Sequence, residues 1–516
     1  MKTSRREASP LRSLLRPFTI IAQDPSICIA GRPLFAQVRI PAERLSPGPW
    51  GYRFQVIDYD ASTASYYAPW HDHAADEDEF RDPFHERAQS SPDALLEDPE
   101  FHQCNAYAIA MRILARFEFA LGRRVSWQFD THQLKIVPHA FAEPNAYYSR
   151  TDESLLFGYF PGKDRMVFSC LSHDVVAHET THALIDGLRE GFLEPSSPDQ
   201  AAFHEGFSDI VALLSVLALP EIVDGVFHLK AGKNTKTQHG RRLINGRILT
   251  IGALRESVLL SLAEEMGQEI SGIRGDPLRS SAKLLPDASL LEQAEFQEAH
   301  RRGEILVAAI LTAFLQVVVE RIRGLSAESF EGDASQPPVW LDRARVVEEI
   351  AKAADHLLTI AIRALDYTMP VHLTFGDFLS SMLTADHELV GDDSQYRYRH
   401  CLLKSFAGFG IEPSSSGQLS GKWNPAPDTK QLKYDGIHFQ AMQRDRDEVF
   451  RFLWENRGPL HITDDVYTRV LSVRPCVRIG PDGFFLHETV AEYLQLARMS
   501  PAELKRVGIR TPRKLS

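Results

Sequence analysis

His178-Glu179-Thr180-Thr181-His182 sets two imidazoles four residues apart, with a carboxylate directly beside the first. On a helix, residues i and i+4 share a face, so both rings can reach one metal ion while Glu179 points at the water bound to it. Zinc-assisted hydrolysis is the chemistry this spacing implies. The flanks agree with a buried helix. Asp174-Val175-Val176-Ala177 leads in and Ala183-Leu184-Ile185 leads out, so the apolar face is interrupted only where ligands would sit.

Catalytic zinc commonly takes three protein ligands and keeps a fourth position for water. Glu205, twenty-three positions after His182, is the expected third ligand. It lies in Phe203-His204-Glu205-Gly206-Phe207-Ser208-Asp209, which opens a second apolar run, Ile210-Val211-Ala212-Leu213-Leu214. Asp209 falls one helical turn after Glu205, where its carboxylate can accept the free ring N–H of a ligating histidine and orient it.

The segment Asp174 to Ala183, followed by Glu205 and Ser208-Asp209-Ile210, resembles the thermolysin-like metallopeptidases, the glutamate-ligated branch of the zinc peptidases (gluzincins). Upstream, Asn145-Ala146-Tyr147-Tyr148 and Leu156-Phe157-Gly158-Tyr159 are similar to that family's edge strand. Downstream, Thr374 to Phe378 and Leu403 to Ala407 through Gly410-Ile411 are similar to its closing helices. The resemblance spans roughly residues 100 to 411 and implies an α+β, two-lobed thermolysin-like zincin core, with a sheet-rich N-terminal lobe and a helical C-terminal lobe. It also implies one catalytic Zn2+ on His178, His182 and Glu205, with Glu179 as general base.

Further roles follow from the same likeness. Ala299-His300-Arg301-Arg302-Gly303 resembles the stretch that supplies a histidine to the developing oxyanion, so His300 is the expected catalytic donor, ahead of His387. Asn145 is expected to bind substrate backbone, with Ala146 presenting its carbonyl on the edge strand. Arg279 resembles the family arginine that reaches both substrate and a zinc ligand, with Arg274 close by. The family's second electrophilic tyrosine has no clear counterpart in Gly191-Phe192-Leu193-Glu194, and Tyr147 or Tyr148 would have to replace it. Structural Ca2+ is doubtful, because Ile210 to Leu219 lacks the acidic residue that site needs. The spacing from His182 to Glu205 is a few residues longer than usual, so the connecting loop must differ.

At 516 residues and 44% hydrophobic, the chain can bury a sizeable core and form more than one domain. Its net charge of −12 argues against a general nucleic-acid or acidic-membrane binder. No transmembrane run or standard signal segment is recognised, and five scattered cysteines suit a reducing cytoplasm, so a cytoplasmic location is expected. A peptide or protein substrate is the expected partner.

The expected organisation is a β-rich extension over 1–98, the metallopeptidase core over 99–411, a Ser-, Gly- and Pro-rich linker over 412–430, and a small α+β extension over 431–516. Helices are expected from Cys104 to Leu121, Ala253 to Met266, Gly303 to Arg323 and Arg343 to Tyr367, and strands from Gln133 to Pro138 and Ser154 to Tyr159. The basic stretch Lys230 to Arg247 reads as a solvated loop, as does the hydrated Trp70-His71-Asp72-His73. Two rival functions are an aminopeptidase, which would need an acidic anchor for a free amine, and a catalytically silent metal-stabilised binding module. The presence of Glu179, which does not hold zinc, argues against the second.

Overall fold

The computed structural model describes residues 14–506 except 26–27, 30, 73–79, 163–164, 194–195, 230–233, 256–276, 327–337, 371, 415–419, 425–428, 464–465 and 480–484. The fold is mixed α+β. Two compact units divide the chain, Met1–Ala120 with Arg124–Lys422, and Leu121–Arg123 with Trp423–Ser516.

In the first unit, strand β1 (Leu15–Ile21) pairs antiparallel with β2 (Phe35–Pro41). Alternation makes β2 two-faced, with Ala36, Val38 and Ile40 buried and Gln37 and Arg39 exposed. A five-stranded sheet follows. Its strands are β3 (Phe54–Val56), β4 (Leu134–Phe141), β5 (Ala146–Ser149), β6 (Ser154–Pro161) and β7 (Met166–Phe168). β3 and β6 flank β4 in parallel, while β5 and β7 pair antiparallel with successive stretches of β6. Among the described residues β5 therefore keeps one edge unpaired within the sheet.

Helix α1 (Pro99–Leu121) crosses this unit and starts earlier than the apolar spacing indicates, with Pro99 opening the first turn. It is buried on nearly all sides from Phe101 to Met111, so its polar residues serve neighbouring backbone. Asn105 accepts Ile21 N–H at 2.8 Å and donates to Cys170 O at 2.8 Å.

Helix α2 (His173–Leu188) is buried at every position except Asp174. Thr180 and Thr181 return their hydroxyls to Val176 O and Ala177 O at 2.7 Å, which lets two polar side chains sit in the interior. Helix α3 (Pro198–Leu217) begins on Ser197, whose hydroxyl accepts Gln200 N–H at 3.1 Å. Helix α4 (Ala299–Arg323) packs along α3. The two meet at a pair of glycines, where a Cβ on Gly206 would stand 3.0 Å from Gly303 O. Among the described residues α4 alone is long and apolar enough to cross a membrane, but 89% of that apolar window is buried inside the protein. Helices α5 (Arg343–Ala364), α6 (Phe375–His387) and α7 (Tyr398–Gly408) complete the helical part. A reciprocal Thr374–Asp377 cap starts α6.

Two loop expectations differ from the structure. Within the basic stretch, β8 (Thr235–Gln238) and β9 (Arg241–Asn245) form a hairpin, and β10 (Trp340–Asp342) pairs with β9. Ile244 is buried opposite Leu341, while Arg241 and Arg242, on opposite faces at the start of β9, remain exposed. Asp72, expected in a hydrated loop, instead pairs with buried Arg16 at 2.6 Å. His73 and most of the expected helix from Ala253 to Met266 lie outside the described residues; Ile251–Arg255 is helical.

The second unit carries helix α8 (Arg446–Glu455) and the antiparallel ribbon of β11 (Tyr467–Ile479) and β12 (Phe485–Leu496). Its core gathers Val449 and Leu453 from α8 against Val470 of β11.

Candidate metal centre

His178 and His182 sit one turn apart on α2, with their Nε2 atoms 2.7 Å from each other. Glu205 of α3 brings Oε2 to 3.4 Å from His178 Nε2 and Oε1 to 3.7 Å from His182 Nε2. These three residues form one of two groups among the described residues whose donor atoms converge closely enough to hold a metal ion.

Their hydrogen bonds decide which nitrogens face the centre. His178 Nδ1 lies 2.7 Å from Asp209 Oδ1, so its N–H donates there and leaves the Nε2 lone pair inward. Ser208 gives its hydroxyl proton to His204 O at 2.9 Å and can accept His182 Nδ1–H at 3.2 Å, fixing the same tautomer on the second ring. Burial, then His204 and His178, holds the His182 pKa well below its ordinary value, so the ring stays in the neutral form that binds metals. Burial pushes Asp209 well above the usual carboxylate range, with Glu205, Asp174 and Glu304 adding to it; a cation at the centre would oppose that shift. Two inward lone pairs and a facing carboxylate are a donor set that fits Zn2+.

Glu179 lies under the free edge of β5, where its Oε2 accepts Tyr148 N–H at 3.0 Å. Gly158 N–H bonds Asn145 O at 2.8 Å, so strand alternation turns the backbone of Ala146 and Tyr148 toward the unpaired edge. The Asn145 side chain is exposed, and its Oδ1 accepts Ala146 N–H at 2.9 Å.

His300, near the start of α4, is 63% exposed and forms a rim to the centre, with Nε2 3.8 Å from Glu205 Oε2 and Nδ1 2.8 Å from Glu298 Oε1. His387 ends α6, and none of the described contacts joins it to the cluster. Arg279 belongs to the helix Pro277–Lys283, its side chain lying outside the described residues, as does Arg274 altogether.

Several neighbours are not apparent in the motif. His204 stacks on His182 with centroids 4.4 Å apart and planes within 9°. Tyr148 donates its hydroxyl to Asp186 Oδ2 at 2.9 Å, and Arg150 Nε reaches the same oxygen at 2.8 Å. Asp186 stands four residues after His182, the single sequence cue for this group, since it extends the ligand face by another turn. Tyr147 is exposed and stacks on Phe141.

No known protein-family model matches the chain, and no curated protein matches it either.

Proposed function

We propose that the chain is a zinc-dependent endopeptidase whose core has the two-lobed thermolysin-like arrangement, with the sheet carrying β5 on one side of the cleft and α3 and α4 on the other. The observation that carries this reading is the meeting of three donors, His178, His182 and Glu205, beside a carboxylate, Glu179, that is hydrogen-bonded to an open strand edge. A binding module needs the donors but not the carboxylate.

Zn2+ bound by these residues would supply Lewis acidity, bringing the pKa of water toward neutrality and polarising a carbonyl. An extended peptide can add to the free edge of β5, with Ala146 and Tyr148 turned toward it. Glu179, held by Tyr148 N–H, takes a proton from the attacking water and returns it to the leaving amine nitrogen. Asp209 and Ser208 hold the two rings in the tautomer that directs Nε2 inward. His300 at the rim donates to the oxygen that gains charge in the transition state.

The test is cleavage of a mixed peptide library by the full chain before zinc removal, after it, and after zinc is restored. Internal cuts that disappear and return with zinc support the reading. Trimming from the amino end alone selects an aminopeptidase, and no cleavage with zinc bound selects a binding module. Glu205→Ala should lose the catalytic ion and the activity together, and full activity in that variant rejects it as the third ligand.

A further inference from the structure

Away from the cleft, a second convergence lies deep in the first unit. His102 on α1 and His139 on β4 are each 1% exposed, and Cys170, in the short turn Ser169–Leu171 that leads into α2, is fully buried. One donor atom from each falls within 4.8 Å of the other two. Cys170 is in no disulfide, and the Phe168 ring packs on both imidazoles with centroids 4.6 and 5.4 Å away.

The surrounding hydrogen bonds determine where the ring protons sit. His102 Nε2 is 2.9 Å from Leu96 O; a carbonyl only accepts, so Nε2 carries hydrogen and Nδ1 presents its lone pair. His139 Nδ1 is 2.8 Å from Asp58 Oδ1. The other Asp58 oxygen accepts from Gln103 Nε2 at 2.9 Å, an amide whose orientation is fixed because its oxygen accepts Trp70 N–H at 2.8 Å. Both Asp58 oxygens thus accept, so His139 donates its Nδ1–H to Asp58 and the neutral ring keeps a lone pair on Nε2. The two lone-pair nitrogens, His102 Nδ1 and His139 Nε2, face each other at 2.8 Å. Such a contact is repulsive unless a positive centre lies between them.

The geometry points to a second, buried metal site in which His102 Nδ1, His139 Nε2 and Cys170 Sγ hold a divalent, borderline-soft ion, for which Zn2+ is the best match. Imidazole and thiolate together select zinc over magnesium or calcium. Both imidazoles rest their other N–H on a carboxylate or a backbone carbonyl, the partners that orient ligating histidines. Charge also balances. The Cys170 thiolate and the Asp58 carboxylate offset the two positive charges of the ion, in surroundings where an uncompensated charge is costly. As the sulfur–metal bond forms, the thiol proton leaves to solvent. A bridging proton would satisfy the two nitrogens but leave Cys170 without a role. The facing pair His178 and His182, at 2.7 Å, has the same arrangement at the cleft. The ion would fasten α1, β4 and the entry to α2 at one point, a structural rather than hydrolytic task.

The experiment is cobalt substitution in the full chain. His178, His182 and Glu205 offer no sulfur, so a near-ultraviolet thiolate-to-cobalt charge-transfer band reports the second site alone. Cys170→Ala should abolish the band and lower bound cobalt from about two equivalents to about one, while Glu205→Ala should keep the band. If Cys170→Ala does not fold, zinc-edge X-ray absorption of Glu205→Ala decides, with one sulfur expected at about 2.3 Å and nitrogens at about 2.0–2.1 Å. Absence of the band in the wild-type chain, its survival in Cys170→Ala, or a zinc shell without sulfur overturns the site and leaves a shared proton between the rings.

Discussion

Replacing Asp209 by alanine removes the acceptor that holds His178, and the size of the effect follows from where it sits. Asp209 is 7% exposed and its Oδ1 is 2.7 Å from His178 Nδ1, so water has little access to take its place. A buried ring N–H left without a partner costs about 1–3 kcal/mol, and orienting partners of ligating histidines change metal affinity by about ten- to a hundredfold. The two figures agree, because each tenfold step is about 1.4 kcal/mol. Asp209→Ala should therefore weaken zinc at the cleft by about ten- to a hundredfold. Asp209→Asn keeps an acceptor oxygen and loses the charge. Charge-assisted bonds are roughly twice as strong as neutral ones, so about half the free energy, a loss of about three- to tenfold, is expected. Titration against a competing chelator, in chains shown by circular dichroism to be folded, measures both. Wild-type affinity in Asp209→Ala would refute the reasoning, and equal losses in the two variants would show that the charge plays no part.

Glu179→Gln should retain zinc near full occupancy while peptide hydrolysis is abolished, since the amide keeps the shape and loses the base; parent-like turnover would remove Glu179 from the mechanism. His300→Ala should leave zinc content unchanged and lower kcat by about a hundred- to a thousandfold with little change in KM, because its donor acts on charge present in the transition state. Undiminished turnover there, with His387→Ala impaired, would move the role to His387. Burial raises Glu304 from 4.5 to about 7, against the opposing Arg301 guanidinium. The unfolded chain releases that proton near 4.5 and the folded chain near 7, so stability is lost as pH rises through this window. At about 1.4 kcal/mol per unit the loss is at most about 3 kcal/mol. Chemical denaturation across the window should show Glu304→Gln lacking this decline; identical slopes for variant and wild type would refute the assignment.

The parts of the site that lie within one or two helical turns could be read from sequence, because spacing alone puts His178 with His182 and Glu205 with Asp209 on shared faces. Tyr148 N–H on Glu179 could not, since it depends on the register of β5 over α2 rather than on any local pattern. Ser208 reads as an ordinary helical serine until the fold brings His182 Nδ1 to it. Among the loops, Arg241 and Arg242 hid a strand because their charge outweighs the single buried Ile244, whose partner Leu341 is far along the chain. Asp72 was hidden in the same way, its partner Arg16 being 56 residues earlier. The linkage of His102, His139 and Cys170 has no sequence period at all. It arises from a helix, a strand and a turn meeting in the interior.

Gly206 and Gly303 touch backbone to backbone one residue from Glu205 and three from His300. With no side chain on either side to shrink or rotate, the joint has no slack, and its thickness acts as a caliper on the span between ligand and rim histidine. A methyl group at either position is a wedge a few tenths of an ångström too thick, and only movement of a whole helix can make room for it. The joint thereby offers a graded way to alter the cleft without touching any group that performs chemistry. Alanine at either position, then at both, would open the gauge in steps, and the second wedge should do less than the first because the helices have already parted.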